Sequence, residues 1–261
     1  MNTIFVAIAC YLDYELKHTI LDCINKAKYP ENLRFGICLQ YDENEGTNEH
    51  VLDFLESKLP IKILKYPYTE SNGGCWARNL AQSLYDGETY HLQVDSHTRF
   101  IHNWDEILIN MYNELPTDKA VISVGPPYYC DLSAEGALPH LEWEPVALID
   151  NVYCDSIIQK QKLDSAGGTH FMYGFLPAED ISKPIPARHI SAALLFTIGK
   201  WVREVPYDSD LYFAGEEPTL TLRSYTNGYD IFNPNKFVIW HLKYNFSHRK
   251  RHWNTFDQKI I

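Results

Sequence analysis

Tyr90-His91-Leu92-Gln93-Val94-Asp95-Ser96-His97 is the stretch on which the reading of this chain turns. Its first five residues have the short, mostly apolar character of a buried strand, and the strand runs straight into an acid and an imidazole two positions apart. Side chains alternate across a strand with period two, so Asp95 and His97 point the same way. A carboxylate and an imidazole so placed can hold one divalent cation. Mixed oxygen and nitrogen ligands suit Mn²⁺, with Mg²⁺ as the alternative, and such an ion can bridge a sugar-nucleotide diphosphate as a Lewis acid. The plainer alternative is that the pair caps the helix predicted from Trp104.

Upstream, short apolar runs alternate with helical patterns. Ile4 to Ala9 reads as a strand, and Leu16, Ile20, Ile24 and Ala27 recur at helical spacing before Pro30. Leu33 to Tyr41 is a second strand, Val51, Leu52, Leu55 and Leu59 mark a helical face, and Ile61 to Leu64 is a third strand. Gly74 to Tyr85 reads as a helix leading into the strand at Tyr90. Such alternation predicts an α/β fold with a mostly parallel sheet flanked by helices, and ligands then bind at the carboxyl ends of the strands. Asp95 lies at one such end. From Val121 the pattern loosens around Pro126-Pro127, Gly136, Pro139, Gly167-Gly168 and Pro177. Order returns in Ser191 to Ile198, a helix from about Glu217 to Thr226 and a strand from Phe237 to His241.

At 261 residues the chain is long enough for one sizeable α/β domain, and a 45% hydrophobic, 22% charged composition is that of a packed globular protein. We expect a single domain over 1–261, made of two halves at 1–125 and 126–261. A formal charge of -11 argues against nucleic acid as a partner, because that affinity rests on Lys and Arg neutralising phosphates. The six cysteines contain no CxxC pair and read as reduced thiols. The apolar start Ile4 to Leu12 lacks a basic flank, is too short to span a bilayer and ends at Asp13, so no export signal or transmembrane segment is expected. A cytoplasmic setting follows.

Further candidates gather around the strand ends. Glu216 and Glu217 in Phe213-Ala214-Gly215-Glu216-Glu217-Pro218 stand at a helix start, where they either accept hydrogen bonds from sugar hydroxyls or simply cap the helix. His241 closes an apolar strand and is either a third metal ligand or a core residue. Arg78 lies just inside a helix that opens with two glycines, a setting that suits a phosphate or uracil, or leaves a solvated surface cation. The cluster His248 to His252 is either a solvated tail or a contact for an acidic acceptor or an anionic membrane surface.

Taken in order, Gly73-Gly74-Cys75-Trp76-Ala77-Arg78-Asn79, Tyr85 to Phe100, Asn103-Trp104-Asp105, Val205 to Glu217, Asn227 to Pro234 and Trp240-His241 resemble glycosyltransferase family 60, cytoplasmic polypeptide α-N-acetylglucosaminyltransferases acting on hydroxyproline or related hydroxyls. The Asp-Ser-His triplet followed by a late Gly-Glu is also similar to the mucin-type polypeptide N-acetylgalactosaminyltransferases. The resemblance implies a GT-A fold, a UDP-sugar donor, Mn²⁺ and retention of anomeric configuration. It implies metal ligation by Asp95, His97 and His241, a nucleotide near Ala9, Tyr11 and Arg78, and a donor sugar beside Gly215, Glu216 and Glu217. The chain departs from the pattern at Tyr11-Leu12-Asp13, where a basic residue is expected between Tyr and Asp.

Retention without an evident carboxylate nucleophile points to an internal-return mechanism, in which Glu216 and Glu217 position donor sugar and acceptor. Three alternatives stand beside it: an inverting transferase with Glu216 or Glu217 as general base, a carbohydrate-binding protein without turnover, and a metal-dependent hydrolase using Asp95, His97, His170 and His241. The acceptor, a hydroxyl-bearing polypeptide or glycan, is expected to meet the stretch Tyr128 to Asp180.

Overall fold

A computed structural model describes residues 2–44, 60–126, 128–129, 162–163, 169–170, 182–242 and 250–252. Strands β1 (Ile4–Tyr11), β2 (Leu33–Tyr41), β3 (Ile61–Pro67) and β4 (Tyr90–Val94) start where the apolar runs predict them, β1 continuing two residues and β3 three residues past the expected end, with helices α1 (Leu16–Lys26) and α2 (Gly74–Gln82) between. Helix α2 stops three residues short of the expected end, because the chain tightens into the i→i+3 bonds Leu84 N to Ala81 O and Tyr85 N to Gln82 O. The helix expected over Val51 to Leu59 lies outside the described residues.

Next come β5 (Thr98–Phe100), α3 (Trp104–Asn113), β6 (Ala120–Ser123) and the two-residue strands β7 (Tyr128–Tyr129), β8 (Lys162–Leu163) and β9 (Thr169–His170). The chain ends with β10 (Ile185–Ala187), β11 (Leu194–Ile198), the short helix α4 (Trp201–Glu204), α5 (Glu216–Thr226), β12 (Asp230–Asn233) and β13 (Ile239–Leu242). The last strand begins two residues later than its apolar pattern suggests, though Phe237 and Val238 are buried all the same.

Eight strands form the central sheet in the order β10-β12-β6-β11-β4-β1-β2-β3. Strand β11 runs antiparallel to both of its neighbours, β4 and β6, and β10 runs antiparallel to β12; the remaining pairs are parallel. Alternation in β1 sorts the core into two layers. Ile4, Val6, Ile8 and Cys10 pack with Leu16, Ile20 and Cys23 of α1 and with Trp104 and Leu108 of α3. Phe5 and Ala7 pack with Ala77 and Ala81 of α2, Trp201 of α4 and Leu220 of α5. A sheet covered on both faces needs apolar side chains on both, which is why these strands read as continuous rather than alternating runs. Gly36 lets α2 come close: a Cβ there would lie 2.5 Å from the Phe5 ring and 2.9 Å from the Ala81 carbonyl oxygen.

A second sheet, β5-β13-β7, crosses the carboxyl end of β4. Its antiparallel register sets His241 opposite Thr98, and the Leu242 N–H donates to the His97 carbonyl at 3.1 Å. This register, set by a strand absent from the sequence reading, brings a residue from late in the chain to the Asp95 loop.

Candidate active site

Strand β4 ends at Val94, and the next three residues turn before β5 starts. Helix α1 holds that turn: the Thr19 hydroxyl donates 2.7 Å to the Ser96 carbonyl and accepts 3.0 Å from the Thr98 N–H. From it Asp95 and His97 bring their side chains together, although the two residues lie in the turn and not in the extended strand whose alternation predicts it. His97 Nε2 lies 2.9 Å from His241 Nε2, which lies 3.0 Å from Asp95 Oδ2, and all three candidate ligand atoms fall within 4.8 Å of one another.

One carboxylate oxygen and two imidazole nitrogens form a donor set suited to a divalent transition ion. The two close separations also fit, since adjacent ligands around an octahedral ion with bonds of about 2.1 Å stand about 3 Å apart. The residues present therefore fit a cation such as Mn²⁺. Burial pushes the Asp95 carboxyl up, but the His241 hydrogen bond and the Arg78 charge outweigh it and hold Asp95 well below the usual carboxylate range. Asp95 is thereby kept in its carboxylate form, the form in which it could hold a cation.

The far nitrogen of His97 meets a residue that sequence reading missed. Asp13, 1% exposed in the loop after β1, sits with Oδ2 2.8 Å from His97 Nδ1, and the Ser96 hydroxyl donates to the same oxygen at 2.7 Å. The Glu15 N–H donates to Asp13 Oδ1 at 3.0 Å, and Glu15 pairs with Arg99 on β5. The loop after β1 and the turn into β5, 83 positions apart from Asp13 to Ser96, are thus clamped together. The one available signal was the acid at the end of an apolar strand, and it gives no hint of its partner.

Arg78 is mostly buried rather than solvated, its side chain 12% exposed. Its guanidinium donates to Asp95 Oδ1 at 2.8 Å, Glu216 Oε1 at 3.0 Å and the Tyr207 hydroxyl at 3.2 Å. Tyr207 is fixed in turn by Gln93 Nε2 at 2.7 Å and by its own N–H on Gln82. Burial opposes the Arg78 charge, and Glu216 and Asp95 more than restore it. Glu216 also accepts from the Cys75 thiol at 3.4 Å, and burial pushes its carboxyl up to about 6 despite Arg78. Glu217 turns the other way and accepts the Ala192 N–H at 2.8 Å. Gly215 precedes both with φ of +92°, which glycine adopts readily.

A cavity of about 280 Å³ opens over this cluster, lined among others by Ala9, Tyr11, Arg78, Asp95, His97 and His241. The expected nucleotide and metal residues thus share one wall, whereas Gly215, Glu216 and Glu217 are not among the described residues lining it. Gly73 and Gly74, at the start of α2, form part of the rim. Gly73 has φ of +104°, and a Cβ there would meet the Tyr212 carbonyl oxygen at 2.5 Å.

The described part of the basic cluster, Lys250, Arg251 and His252, lines this cavity, with Lys250 exposed and Arg251 and His252 partly buried. His252 Nδ1 pairs with the Tyr212 hydroxyl, and its Nε2 lies 3.1 Å from the Ser71 carbonyl oxygen. The ring also packs edge-on against Tyr11, centroids 5.2 Å apart. Histidine and aromatic partners explain why that charge run folds back: half-buried contacts hold it where charge alone would not. His170 of the hydrolase reading pairs with Lys162 in a separate two-stranded sheet.

Comparison with solved structures gives the same fold. The chain superposes on GalNAc-T7 with UDP, GalNAc and Mn²⁺ with a TM-score of 0.66 at 11% identity, covering 99% of this chain and 45% of that one. It superposes on S. aureus TarS 1-349 in complex with UDP-GlcNAc with a TM-score of 0.53 at 15% identity, covering 98% of this chain and 61% of that one. This chain thus spans less than two thirds of either. No curated protein sequence matches it. The family profile described as Glycosyltransferase (GlcNAc) matches residues 3–60 and 49–260. Covered almost end to end by that profile and folded as a GT-A domain, the chain belongs to the GlcNAc glycosyltransferase family.

Proposed function

We propose that this chain is a metal-dependent, retaining glycosyltransferase that moves GlcNAc from UDP-GlcNAc onto a hydroxyl of a polypeptide or glycan acceptor. The observation that carries the reading is the convergence of Asp95, His97 and His241 beside Arg78 in one cavity of a GT-A fold. Mn²⁺ or Mg²⁺ held by these three residues would supply Lewis-acid stabilisation of charge on the departing diphosphate.

The chain's own residues do the remainder. Arg78, kept cationic by Asp95 and Glu216, adds a fixed positive charge to the wall that faces the diphosphate, so little reorganisation accompanies charge development there. The bond from the anomeric carbon to the β-phosphate oxygen breaks, the acceptor oxygen bonds that carbon on the same face, and the hydroxyl proton passes to a phosphate oxygen. Glu216 is committed to Arg78 and Cys75, and Glu217 to the Ala192 N–H. Those commitments support a positioning role for both glutamates over proton abstraction. We assign the nucleotide to Ala9, Tyr11 and Arg78 and the donor sugar to the Gly215-Glu216-Glu217 side, within one domain whose halves, 1–125 and 126–261, both contribute to the cavity.

Among the described residues no helix is long and apolar enough to cross a membrane, and Cys10, Cys23, Cys38 and Cys75 are buried free thiols, which supports a reducing cytosol. The test is a screen of UDP- and GDP-sugars with Mn²⁺, read as nucleotide release with and without chelator. UDP-GlcNAc should give the highest turnover, lost in chelator and restored by Mn²⁺, with α-linked product by NMR. Turnover undiminished in metal-free buffer would remove the metal from the proposal, and a β-linked product would replace retention with inversion.

A further inference from the structure

We infer that Asp13 is a positioning residue for the metal site, setting the tautomer and orientation of His97 and with them the affinity for the cation. The inference rests on the metal reading above. Its basis is geometric. Asp13 is buried, and its Oδ2 faces His97 Nδ1 at 2.8 Å while His97 Nε2 faces the other ligand atoms.

A neutral imidazole carries one N–H and one lone pair. A carboxylate at Nδ1 accepts a hydrogen bond, so the proton belongs on Nδ1 and the lone pair on Nε2, where a cation needs it. Without Asp13 the ring is free to take the other tautomer, with an N–H aimed at His241. Carboxylate partners of ligating histidines also raise ligand basicity and fix the ring plane.

The surroundings show that Asp13 is itself held for this task. Its Oδ2 receives the Ser96 hydroxyl at 2.7 Å, and its Oδ1 receives the Glu15 N–H at 3.0 Å. Glu15 pairs with Arg99, whose guanidinium also donates to the Thr98 carbonyl at 3.0 Å. Ser96, the middle residue of the triplet, thereby acquires a function that ligand spacing alone does not assign: it orients the carboxylate that orients His97. Asp13 is placed to act through His97, as a positioning and not a catalytic residue.

The test is a titration of Mn²⁺ into the full chain, followed by electron paramagnetic resonance, for wild type, Asp13→Asn and Ser96→Ala, each with and without UDP. Asp13→Asn should keep the fold by circular dichroism but weaken Mn²⁺ binding about 10- to 100-fold. Its UDP affinity in metal-free buffer should stay at the wild-type value, and its turnover should recover as Mn²⁺ is raised. Ser96→Ala, which leaves both carboxylate and imidazole in place, should weaken Mn²⁺ severalfold. Folded Asp13→Asn with wild-type Mn²⁺ affinity would overturn the inference. If Asp13→Asn fails to fold, unchanged Mn²⁺ affinity in Ser96→Ala would do the same. A wild-type chain that binds no Mn²⁺ would overturn the metal reading and this inference with it, whereas wild-type binding with insensitive variants removes this inference alone.

Discussion

Arg78 joins the two carboxylates that matter most to the proposed chemistry, and its removal has consequences for stability as well as binding. Arg78→Ala leaves Glu216 buried beside Asp95 with no cation between them, a loss of about 3 to 5 kcal/mol. Arg78→Lys should recover little, because one ammonium cannot reproduce a fork that reaches both acids. Adding Glu216→Gln to Arg78→Ala should restore part of the stability, so the pair is non-additive in a denaturant double-mutant cycle. A wild-type denaturation midpoint for Arg78→Ala would mean that the bridge is not formed. At this scale the sequence was informative about residue type and silent about partners. Asp95, His97 and His241 could be named because their chemistry stands out at strand ends. Whether Arg78 was buried could not, since its environment is built by Asp95, Tyr207 and Glu216, the last 138 residues away. Asp13 was invisible as a site residue for the same reason, its partner being 84 positions distant.

Strand β4 carries, besides the approach to Asp95, a buried histidine with no catalytic assignment. His91 lies between Phe5 and Trp201, stacked at 5.7 and 5.8 Å, and apart from a weak contact with the Phe5 backbone its ring nitrogens make no well-formed hydrogen bond among the described residues. Burial pushes its pKa down from 6.5 to about 3. In the window between those values the unfolded chain takes up a proton that the native ring cannot. The stability associated with the neutral ring is therefore full above 6.5 and drains away as pH falls toward 3. His91→Phe should gain about 2 kcal/mol relative to wild type on going from pH 7 to pH 5, measured by denaturant unfolding at both. Equal differences at the two pH values would mean that His91 is not the group responsible. Elements of this kind were the most legible part of the chain. β1, β2 and β4 follow their apolar runs because they are buried on both faces, β3 is a half-exposed edge strand recognised by its short run Ile61 to Leu64, and α1 follows its helical spacing. β5 escaped notice because Thr98-Arg99-Phe100 is too short for any period to register, and Arg99 is a polar residue whose burial depends on distant partners such as Glu15.

Across the whole molecule, the cavity over Asp95 joins the first strand to Lys250, Arg251 and His252. Lys250→Ala with Arg251→Ala should weaken UDP affinity about 10- to 100-fold by calorimetry with little change in melting temperature, the scale expected of charge-assisted hydrogen bonds to phosphate. An unchanged affinity would return these residues to the solvent-facing tail that their composition first suggests. Composition was a poor guide here because a charge run is placed by its uncharged neighbours, in this case the rings of Tyr11, Tyr212 and His252. Sheet order was equally hidden, since apolar runs reveal strands but not who sits beside whom. That order governs how the chain can be made. β11, residues 194 to 198, fills the gap between β4 and β6, so a ribosome must deliver almost 200 residues before either strand gains its neighbour on that side. Until then both present bare edges, the usual seeds of misassembly. Residues 1–125 should for that reason not make a folding unit: expressed alone, they should remain insoluble or unfolded by circular dichroism, while a longer fragment that includes β11 should be rescued.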